Sequence, residues 1–221
     1  MLKGKLGRSS KMQNEKNKER QDPIVEKFIR FCASDFGRKV MDAEADYLRK
    51  KLAGRKKILE IGCGIGAFEQ RLSDLNITGL DSSEAMLEEA RKRSNKTFIR
   101  GSAYHLPFPD SSFDAVFFVT TLEFLDDYKK AIEETARILE KGGKLIVMVL
   151  NPESEYFKSH YQKPGDYFRK IKHMDFEEIL ERISKFFEME AEYFLGIRGN
   201  EIFDTQDKKF AALYVIKGIK I

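Results

Sequence analysis

A shortage of cysteine and the absence of long apolar runs limit what this sequence encodes. Its 221 residues include two cysteines, Cys32 and Cys63, which are too few and too unpatterned for a disulfide framework or a zinc site. No apolar run reaches the roughly 20 residues that a membrane-spanning helix needs, and residues 1–20 lack the apolar stretch of a secretory signal. We therefore expect free thiols, no metal site, no membrane span and a cytoplasmic location.

Positive charge is concentrated at the N-terminus. The net charge is +4, but residues 1–20 contain seven of the 40 basic and two of the 36 acidic residues, so this segment carries +5 and the remainder −1. The basicity is therefore a property of a tail, and it does not by itself indicate a nucleic-acid-binding domain. We predict a flexible tail over residues 1–20, with a phosphate-binding or membrane-surface arm as the alternative, and a single domain over residues 21–221.

Apolar periodicity predicts that helices and strands alternate. Apolar residues at helical spacing indicate two N-terminal helices within residues 21–55. Amphipathic segments then alternate with five short apolar runs, interpreted as strands, at residues 58–61, 77–80, 97–99, 115–119 and 145–150. The helix between the last two runs is expected to stop at Gly142. The fourth and fifth runs are apolar on both faces, which is typical of a parallel sheet covered on both sides.

The C-terminal third has a different pattern. Residues 151–173 are polar and aromatic without a clear period. A helix then begins near Asp175, which can cap it with Glu178 three residues on. Two alternating runs, residues 189–195 and 210–216, finish the chain. The 14-residue gap between them has no helical period, so we predict an antiparallel pair.

The strongest motif is a strand that runs directly into three glycines. It reads Ile58-Leu59-Glu60-Ile61-Gly62-Cys63-Gly64-Ile65-Gly66 and leads into a helix. Glycine is needed where the backbone takes a positive φ, or where a ligand approaches more closely than a Cβ permits. We expect a nucleotide-like ligand on this turn, with glycines that serve only a tight turn as the alternative.

An acidic residue follows at the end of the second predicted strand. Asp81 lies 19 residues after Gly62, close to the separation at which a carboxylate meets ribose hydroxyls in a dinucleotide fold. Gly62, Gly64 and Ala67 also fit the G-x-G-x-x-A pattern of NAD-binding proteins, so glycine spacing leaves NAD open. Glu60 argues against NAD, because a carboxylate there would face pyrophosphate, whereas it suits a ligand with a positive amino group.

Two further features favour such a ligand. The turn begins about 60 residues into the chain, after two helices, and residues 101–108 read Gly-Ser-Ala-Tyr-His-Leu-Pro-Phe ahead of Ser-Phe-Asp-Ala-Val at 112–116. With these motifs the sequence resembles the class I S-adenosylmethionine-dependent methyltransferases, in the small-molecule branch that includes ubiquinone- and menaquinone-biosynthesis enzymes. The resemblance implies a Rossmann-like doubly wound α/β fold. Its seven-stranded sheet would have the order 3-2-1-4-5-7-6 with strand 7 antiparallel.

The resemblance also implies S-adenosylmethionine as the cofactor and assigns it a set of residues. The glycine turn would hold the methionine part, Asp81 the ribose, and Thr120 would lie beside the sulfonium. Ser82 and Met86 would lie by the adenosine, with Ser102 and Ala103 bordering adenine. The implied cofactor-binding residues are Glu60, Gly62, Cys63, Gly64, Gly66, Asp81, Ser82, Met86, Ser102, Ala103 and Thr120.

Two departures from the family pattern bear on the chemistry. Ser102 stands where the family usually has an aspartate that bonds the adenine amino group. Residues 122–124 read Leu-Glu-Phe where many relatives carry histidines, so no catalytic histidine is inherited. A sulfonium methyl is already activated, but a phenol, enol or thiol acceptor benefits from a general base. The candidates are Glu123, His105 and His160, and the catalytic residue stays unassigned.

The segment after the fifth predicted strand is a candidate lid. Ligands of open α/β sheets lie beyond the carboxyl ends of the strands, so residues 151–173 would cover the transferred methyl. Tyr156, Tyr161 and Phe36 are the candidate substrate contacts around a pocket for a small, planar acceptor, with an ordinary covering layer as the alternative. Nucleic acid is not expected as a partner, because residues 120–123 lack the Asn/Asp-Pro-Pro-aromatic tetrad of nucleic-acid amino-methyltransferases.

The predicted function is transfer of a methyl group from S-adenosylmethionine to a small-molecule acceptor by in-line displacement. Two alternatives stay open. One is an NAD(P)-binding oxidoreductase, and the other is a module that binds the cofactor without turnover.

Overall fold

A computed structural model describes residues 22–221, so the predicted flexible tail at residues 1–20 lies outside the described residues. The described part contains seven helices: α1 (Pro23–Ala33), α2 (Asp35–Lys51), α3 (Ala67–Arg71), α4 (Glu84–Arg93), α5 (Tyr128–Ile138), α6 (Glu155–Tyr161) and α7 (Phe176–Ser184). Its eight strands are β1 (Ile58–Ile61), β2 (Ile77–Asp81), β3 (Thr97–Arg100), β4 (Phe113–Val119), β5 (Leu139–Leu150), β6 (Phe187–Arg198), β7 (Glu201–Phe203) and β8 (Ala211–Lys220). Short 3-10 turns occupy Leu122–Phe124 and Tyr167–Lys170. Within residues 22–221, no helix combines the length and apolar character needed to cross a bilayer.

All eight strands belong to one sheet, in the order β3-β2-β1-β4-β5-β8-β6-β7. Strands β1 to β5 are parallel to their neighbours among themselves, whereas β8 is antiparallel to β5 and β6 is antiparallel to β8. The predicted Rossmann-like α/β fold and the antiparallel C-terminal pair are therefore confirmed. The strand count differs from the prediction, because β7 adds an eighth strand at the edge beside β6.

Strand β7 lies in the segment that the sequence pattern predicts to be a loop. Strand β6 continues to Arg198, and the chain turns back through Gly199, whose φ is +61°. Arg198 pairs with Glu201 across the resulting hairpin. Glycine at a positive φ permits so tight a turn, and three residues are too few to show an alternating pattern.

Helix boundaries agree with the prediction where a side chain caps the helix. Asp175 and Asp127 accept hydrogen bonds from backbone N–H groups in the first turns of α7 and α5. The end of α5 differs, because the helix ends at Ile138 and β5 begins at the next residue instead of after Gly142. Leu139 already pairs with β4, so sheet pairing outweighs the glycines as a stop signal.

Alternate residues of the central strands face two apolar layers. Helices α1, α2 and α3 cover one face and pack on Ile58 of β1, while α5 and α7 cover the other face and pack on Leu59. Side chains alternate along a strand, so Glu60 faces the layer formed by α1 to α3. The fold therefore places a carboxyl inside an apolar layer, one residue before the end of β1.

Candidate functional site

The turn after β1 uses three glycines with positive φ. The φ angles of Gly62, Gly64 and Gly66 are 82°, 53° and 70°, which other residues adopt only at a cost. A Cβ on Gly62 would also collide with the side chain of Thr121, just after β4. A Cβ on Gly64 would meet Phe28 of α1 at an ordinary 3.5 Å. The turn is therefore a stretch of bare backbone at the carboxyl end of the sheet, between α1 and the end of β4.

Asp81 connects the end of β2 to this turn. Its Oδ2 accepts a hydrogen bond from Gly64 N at 2.9 Å, and its Oδ1 accepts one from Ser83 N at 2.8 Å. Burial raises the pKa of the Asp81 carboxyl, and the backbone N–H donors oppose that rise. The structure thus brings Asp81, the residue predicted to bind ribose, to the predicted glycine turn. Its hydrogen bond with Gly64 holds the turn in place.

Glu60 is a buried carboxyl with an oxygen that lacks a hydrogen-bond donor within residues 22–221. It is 2% exposed, and no N–H or O–H among the described residues donates to its Oε2. Burial is the largest cause that raises its pKa, followed by the neighbouring carboxyl of Glu69. A buried carboxyl oxygen without a donor costs free energy that a ligand with N–H groups would offset.

Glu69 is a site residue that sequence reasoning missed. It lies on α3, is fully buried, and neither of its carboxyl oxygens receives a hydrogen bond from an N–H group of residues 22–221. Its Oε1 occupies the position that a Cβ on Gly79 of β2 would take. A glycine in the middle of a buried strand is therefore the one signal that could have revealed a large polar side chain above it.

The end of β4 is held in an unusual backbone conformation. Thr120 has a φ of +43°, rare for a β-branched residue, and its N–H donates to Met148 O at 2.8 Å. The next side chain, Thr121, donates to Val119 O at 3.0 Å and packs against Gly62. Strained backbone at a non-glycine residue is common at ligand sites, and here it lies where the resemblance places the sulfonium.

Glu123 follows in the 3-10 turn after β4. It is 1% exposed, and its Oε1 accepts a hydrogen bond from Leu150 N at 2.9 Å. Its Oε2 receives no hydrogen bond from the part of the chain that the structure describes. Burial raises the pKa of Glu123 to about 7, so its carboxyl exchanges protons near neutral pH.

The residues assigned to the adenosine side lie at the ends of β2 and β3. Ser82 is exposed, and Met86 in the first turn of α4 donates its N–H to Ser83 Oγ at 3.3 Å. After β3, Ala103 is buried and Ser102 Oγ accepts a hydrogen bond from Tyr104 N at 3.2 Å.

Both cysteines are free thiols. Cys63 is buried within the glycine turn, and burial together with the carboxyls of Glu69 and Glu60 raises the pKa of its thiol. Burial likewise raises the pKa of Cys32 to about 11. Both side chains are therefore protonated at neutral pH, and neither is an activated nucleophile.

The predicted substrate residues do not all lie together. The rings of Phe36 and Tyr156 are 6.0 Å apart, and Tyr156 also contacts His160 at 4.4 Å and Phe168 at 5.8 Å. Tyr161 is 37% exposed and has the guanidinium of Arg169 over its ring. Phe36 and Tyr156 are thus in direct contact, whereas the more exposed Tyr161 joins the same aromatic cluster through Phe157.

Tyr167 is a further aromatic residue of the candidate lid that sequence reasoning did not single out as a substrate contact. Its ring lies 4.6 Å from that of Phe124, in the turn that carries Glu123. Burial, with the carboxyls of Glu123 and Asp81 nearby, raises the pKa of Tyr167 to about 12. The ring of Tyr167 therefore packs on the turn that follows β4, and its phenol feels the charges of Glu123 and Asp81.

The two candidate histidines occupy different surroundings. His160 Nδ1 lies 2.9 Å from Tyr156 O, inside the aromatic cluster. His105 is exposed, and its backbone pairs with Ser102 in a turn after β3. The structure does not bring either histidine into contact with Glu123.

Residues 59–147 match a family model described as a methyltransferase domain. The demethylmenaquinone methyltransferase of Thermotoga maritima is 37% identical over 102 residues, which cover 44% of this chain and 44% of that protein. The ubiquinone/menaquinone biosynthesis C-methyltransferase of Campylobacter jejuni is 29% identical over 151 residues, which cover 59% of this chain and 64% of that protein. The chain spans about half the length of the curated relatives it matches.

A solved structure extends the similarity to nearly the whole described chain. It is a SAM-dependent methyltransferase from Thermotoga maritima, with a TM-score of 0.76 and 28% sequence identity. The similarity covers 89% of this chain and 96% of that one. The shared fold therefore includes the C-terminal strands as well as the glycine turn.

Proposed function

We propose that the chain is a class I S-adenosylmethionine-dependent methyltransferase, which moves a methyl group to a small-molecule acceptor by in-line displacement. The bound cofactor supplies a methyl group that its positive sulfur already activates. The chain supplies the rest, which is to bind both reactants, align them and keep water away.

The unpartnered oxygen of Glu60 beneath the glycine turn is the observation that carries the proposal. A buried carboxyl there suits the ammonium of the cofactor's methionine part, because a charge-assisted hydrogen bond would satisfy the free oxygen. Asp81 already holds Gly64 N–H, and its carboxylate has lone pairs left for ribose hydroxyls. The carboxylates of the site therefore suit the ammonium and hydroxyl donors of the cofactor.

The remaining assigned residues complete the cofactor side. The bare turn at Gly62, Cys63, Gly64 and Gly66 would lie against the methionine part, with Thr120 beside the sulfonium. Ser82, Met86 and Ala103 would border the adenosine. Ser102 would offer a hydroxyl where relatives have an aspartate, and this hydroxyl already accepts a hydrogen bond from Tyr104 N.

The acceptor side is proposed to be residues 151–173, acting as a lid. Phe36 and Tyr156 form the wall of the proposed pocket and Tyr167 its roof. Relatives named for demethylmenaquinone and for ubiquinone/menaquinone biosynthesis make planar, partly apolar molecules the first acceptors to test. A macromolecular acceptor would not fit beneath such a cover.

Glu123 is the best supported of the three candidate bases. Its free Oε2 and its pKa of about 7 suit a group that takes a proton from a phenol, enol or thiol. His160 Nδ1 is engaged by Tyr156 O, and His105 faces solvent.

A cytoplasmic location stays a prediction of the composition alone.

Calorimetric titration with S-adenosylmethionine, S-adenosylhomocysteine and NADH tests the cofactor. Binding of the first two but not NADH is the expected result. Binding of NADH alone would favour the oxidoreductase alternative and contradict the proposal.

A mass-spectrometric screen with planar phenols, quinols and thiols tests the transfer. A product heavier by one methylene unit, formed only with the cofactor present, is expected. Cofactor binding without transfer to any acceptor class, macromolecules included, would indicate a module without turnover.

A further inference from the structure

Two glutamates place their carboxyls side by side beneath the glycine turn. Glu60 on β1 pairs across the sheet with Gly79 on β2, and Glu69 Oε1 fills the space where a Cβ on Gly79 would be. Glu69 Oε1 lies over the residue that pairs with Glu60, and the two carboxyls are within hydrogen-bonding reach of each other. Both glutamates are buried in the layer that α1 to α3 cover.

Further charged side chains lie near these two carboxyls. Glu44 on α2 and Asp81 at the end of β2 are the nearest further acids, and burial raises the pKa of Glu44 to about 8. Lys96, ahead of β3, donates its Nζ to the carbonyl oxygens of residues 73 and 75. Arg71 on α3 pairs with Asp42 on α2. The charge of Lys96 lowers the pKa of Glu69, but Lys96 and Arg71 make their hydrogen bonds and ion pair with other groups.

Two like charges at this distance cannot both form in a buried layer. One proton shared between the carboxyls removes the repulsion and lets one group donate to the other. This single proton also satisfies one oxygen of each glutamate, which the described backbone leaves without donors. Burial raises the pKa of both glutamates; the neighbouring Glu69 carboxyl raises the pKa of Glu60 further, whereas the hydrogen bond to Glu60 lowers that of Glu69.

We propose that Glu69 is a positioning residue that shares one proton with Glu60, and that the ammonium of the cofactor takes the place of this proton at Glu60, so that binding releases the proton to solvent. The proposal rests on the proposed function, because it assigns the ammonium to the turn beneath which Glu60 lies. It predicts that the affinity for the cofactor rises with pH. The arriving positive charge favours the form of the pair that has lost its proton.

Glu69→Gln tests the role of the second carboxyl. S-adenosylmethionine and S-adenosylhomocysteine are titrated between about pH 5.5 and pH 8.5, in two buffers of different ionisation enthalpy, so that proton release is counted directly. The glutamine removes the repulsion and can donate to Glu60, so the midpoint of the pH dependence should fall by about one unit or more. Affinity at the acidic end should rise about tenfold. Glu60→Gln should instead lose affinity at every pH, because the acceptor for the ammonium is gone.

Glu89→Gln is the matched control, since Glu89 is a largely buried glutamate on α4 that pairs with Lys92 and Arg93. It should leave the midpoint unchanged. A Glu69→Gln midpoint equal to that of the wild type would overturn the proposal. Failure of the wild type to bind either nucleoside at any pH would overturn the proposed function instead.

A measurement on the wild type covers the case in which Glu69→Gln does not fold. Carbon-13 NMR of glutamate-labelled protein follows the two carboxyls as the pH changes. Two coupled steps are expected, the upper one above the usual glutamate range and moving downward when S-adenosylhomocysteine is added. Two independent steps near about pH 4.3 would contradict proton sharing.

Discussion

The turn side of the site, residues 60–81, and the lid side, residues 151–173, differ in whether the protein completes its own contacts. On the turn side, Glu60 and Glu69 keep carboxyl oxygens without donors from residues 22–221. On the lid side, Ser154 and Asp166 cap their own turns, and the rings of Tyr156 and Phe168 pack on one another. The turn side therefore has buried carboxyl oxygens to which residues 22–221 supply no donor, whereas the polar groups named on the lid side are hydrogen-bonded within that segment. This difference explains why the cofactor can be inferred from the chain and the acceptor cannot.

The largest expected effect separates backbone strain from contact on the turn side. Gly62→Ala should cost about 3 kcal/mol or more of unfolding free energy, because φ is +82° and the new methyl collides with Thr121. Gly54→Ala is the matched control, since Gly54 has a φ of +81° and no neighbour within 4 Å of an added Cβ. It should cost about 1–2 kcal/mol. Equal losses in denaturant unfolding would show that the Thr121 contact contributes nothing.

A pH effect is expected from Glu123, at the boundary between the two sides. Its raised pKa means that the neutral carboxyl stabilises the fold below about pH 4.3 and that this stability is lost as the pH rises through about 7. Glu123→Gln removes that loss, so the variant should gain about 2 kcal/mol on the wild type between about pH 5 and pH 8. A difference in unfolding free energy that does not change with pH would mean that Glu123 titrates normally.

A smaller effect is expected at Asp81, which orders the turn. Asp81→Ala should weaken cofactor binding by about 1–3 kcal/mol, because it removes the acceptor for Gly64 N–H and the partner proposed for the ribose. Titration calorimetry measures the change. Unchanged affinity would show that cofactor binding on the turn side does not need this carboxylate.

The smallest effect on the cofactor is expected from the lid. Tyr156→Ala should lower transfer to the acceptor, and Tyr161→Ala should do so less, because Tyr161 is at the surface. Neither should change cofactor affinity by more than about twofold, since neither ring lies on the turn side. If both variants weaken cofactor binding and thermal stability together while acceptor selectivity stays the same, residues 151–173 are an ordinary covering layer.

The turn side could be predicted from sequence because its signals are local. Glycine at Gly62, Gly64 and Gly66 reports backbone geometry directly, and Asp81 follows at a spacing set by one helix and one strand. Glu69 could not be found in this way. A glutamate on a five-residue helix has no sequence mark of burial, and its partner is a strand residue that only the sheet brings near.

The errors at β7 and at the end of α5 have the same origin. In both places pairing with a distant strand decides the structure, and short-range signals give no information about such pairing. The aromatic residues of the lid fall between these cases. Their presence is evident from sequence, but only the fold shows that Tyr167 packs on Phe124 in the turn after β4.

The hydrogen bonds of Glu123 have a consequence for how much the segment after β5 can change in length and composition. Its side chain holds Leu150 N, and its main-chain oxygen accepts hydrogen bonds from the N–H groups of Lys172 and His173. The segment between these points therefore leaves the sheet and returns to it at the same residue, as a loop closed on itself. Changes in the length or composition of such a loop cost little in chain entropy and need not disturb its base. Residues 151–171 can therefore change while Glu123 and the end of β5 keep their hydrogen bonds.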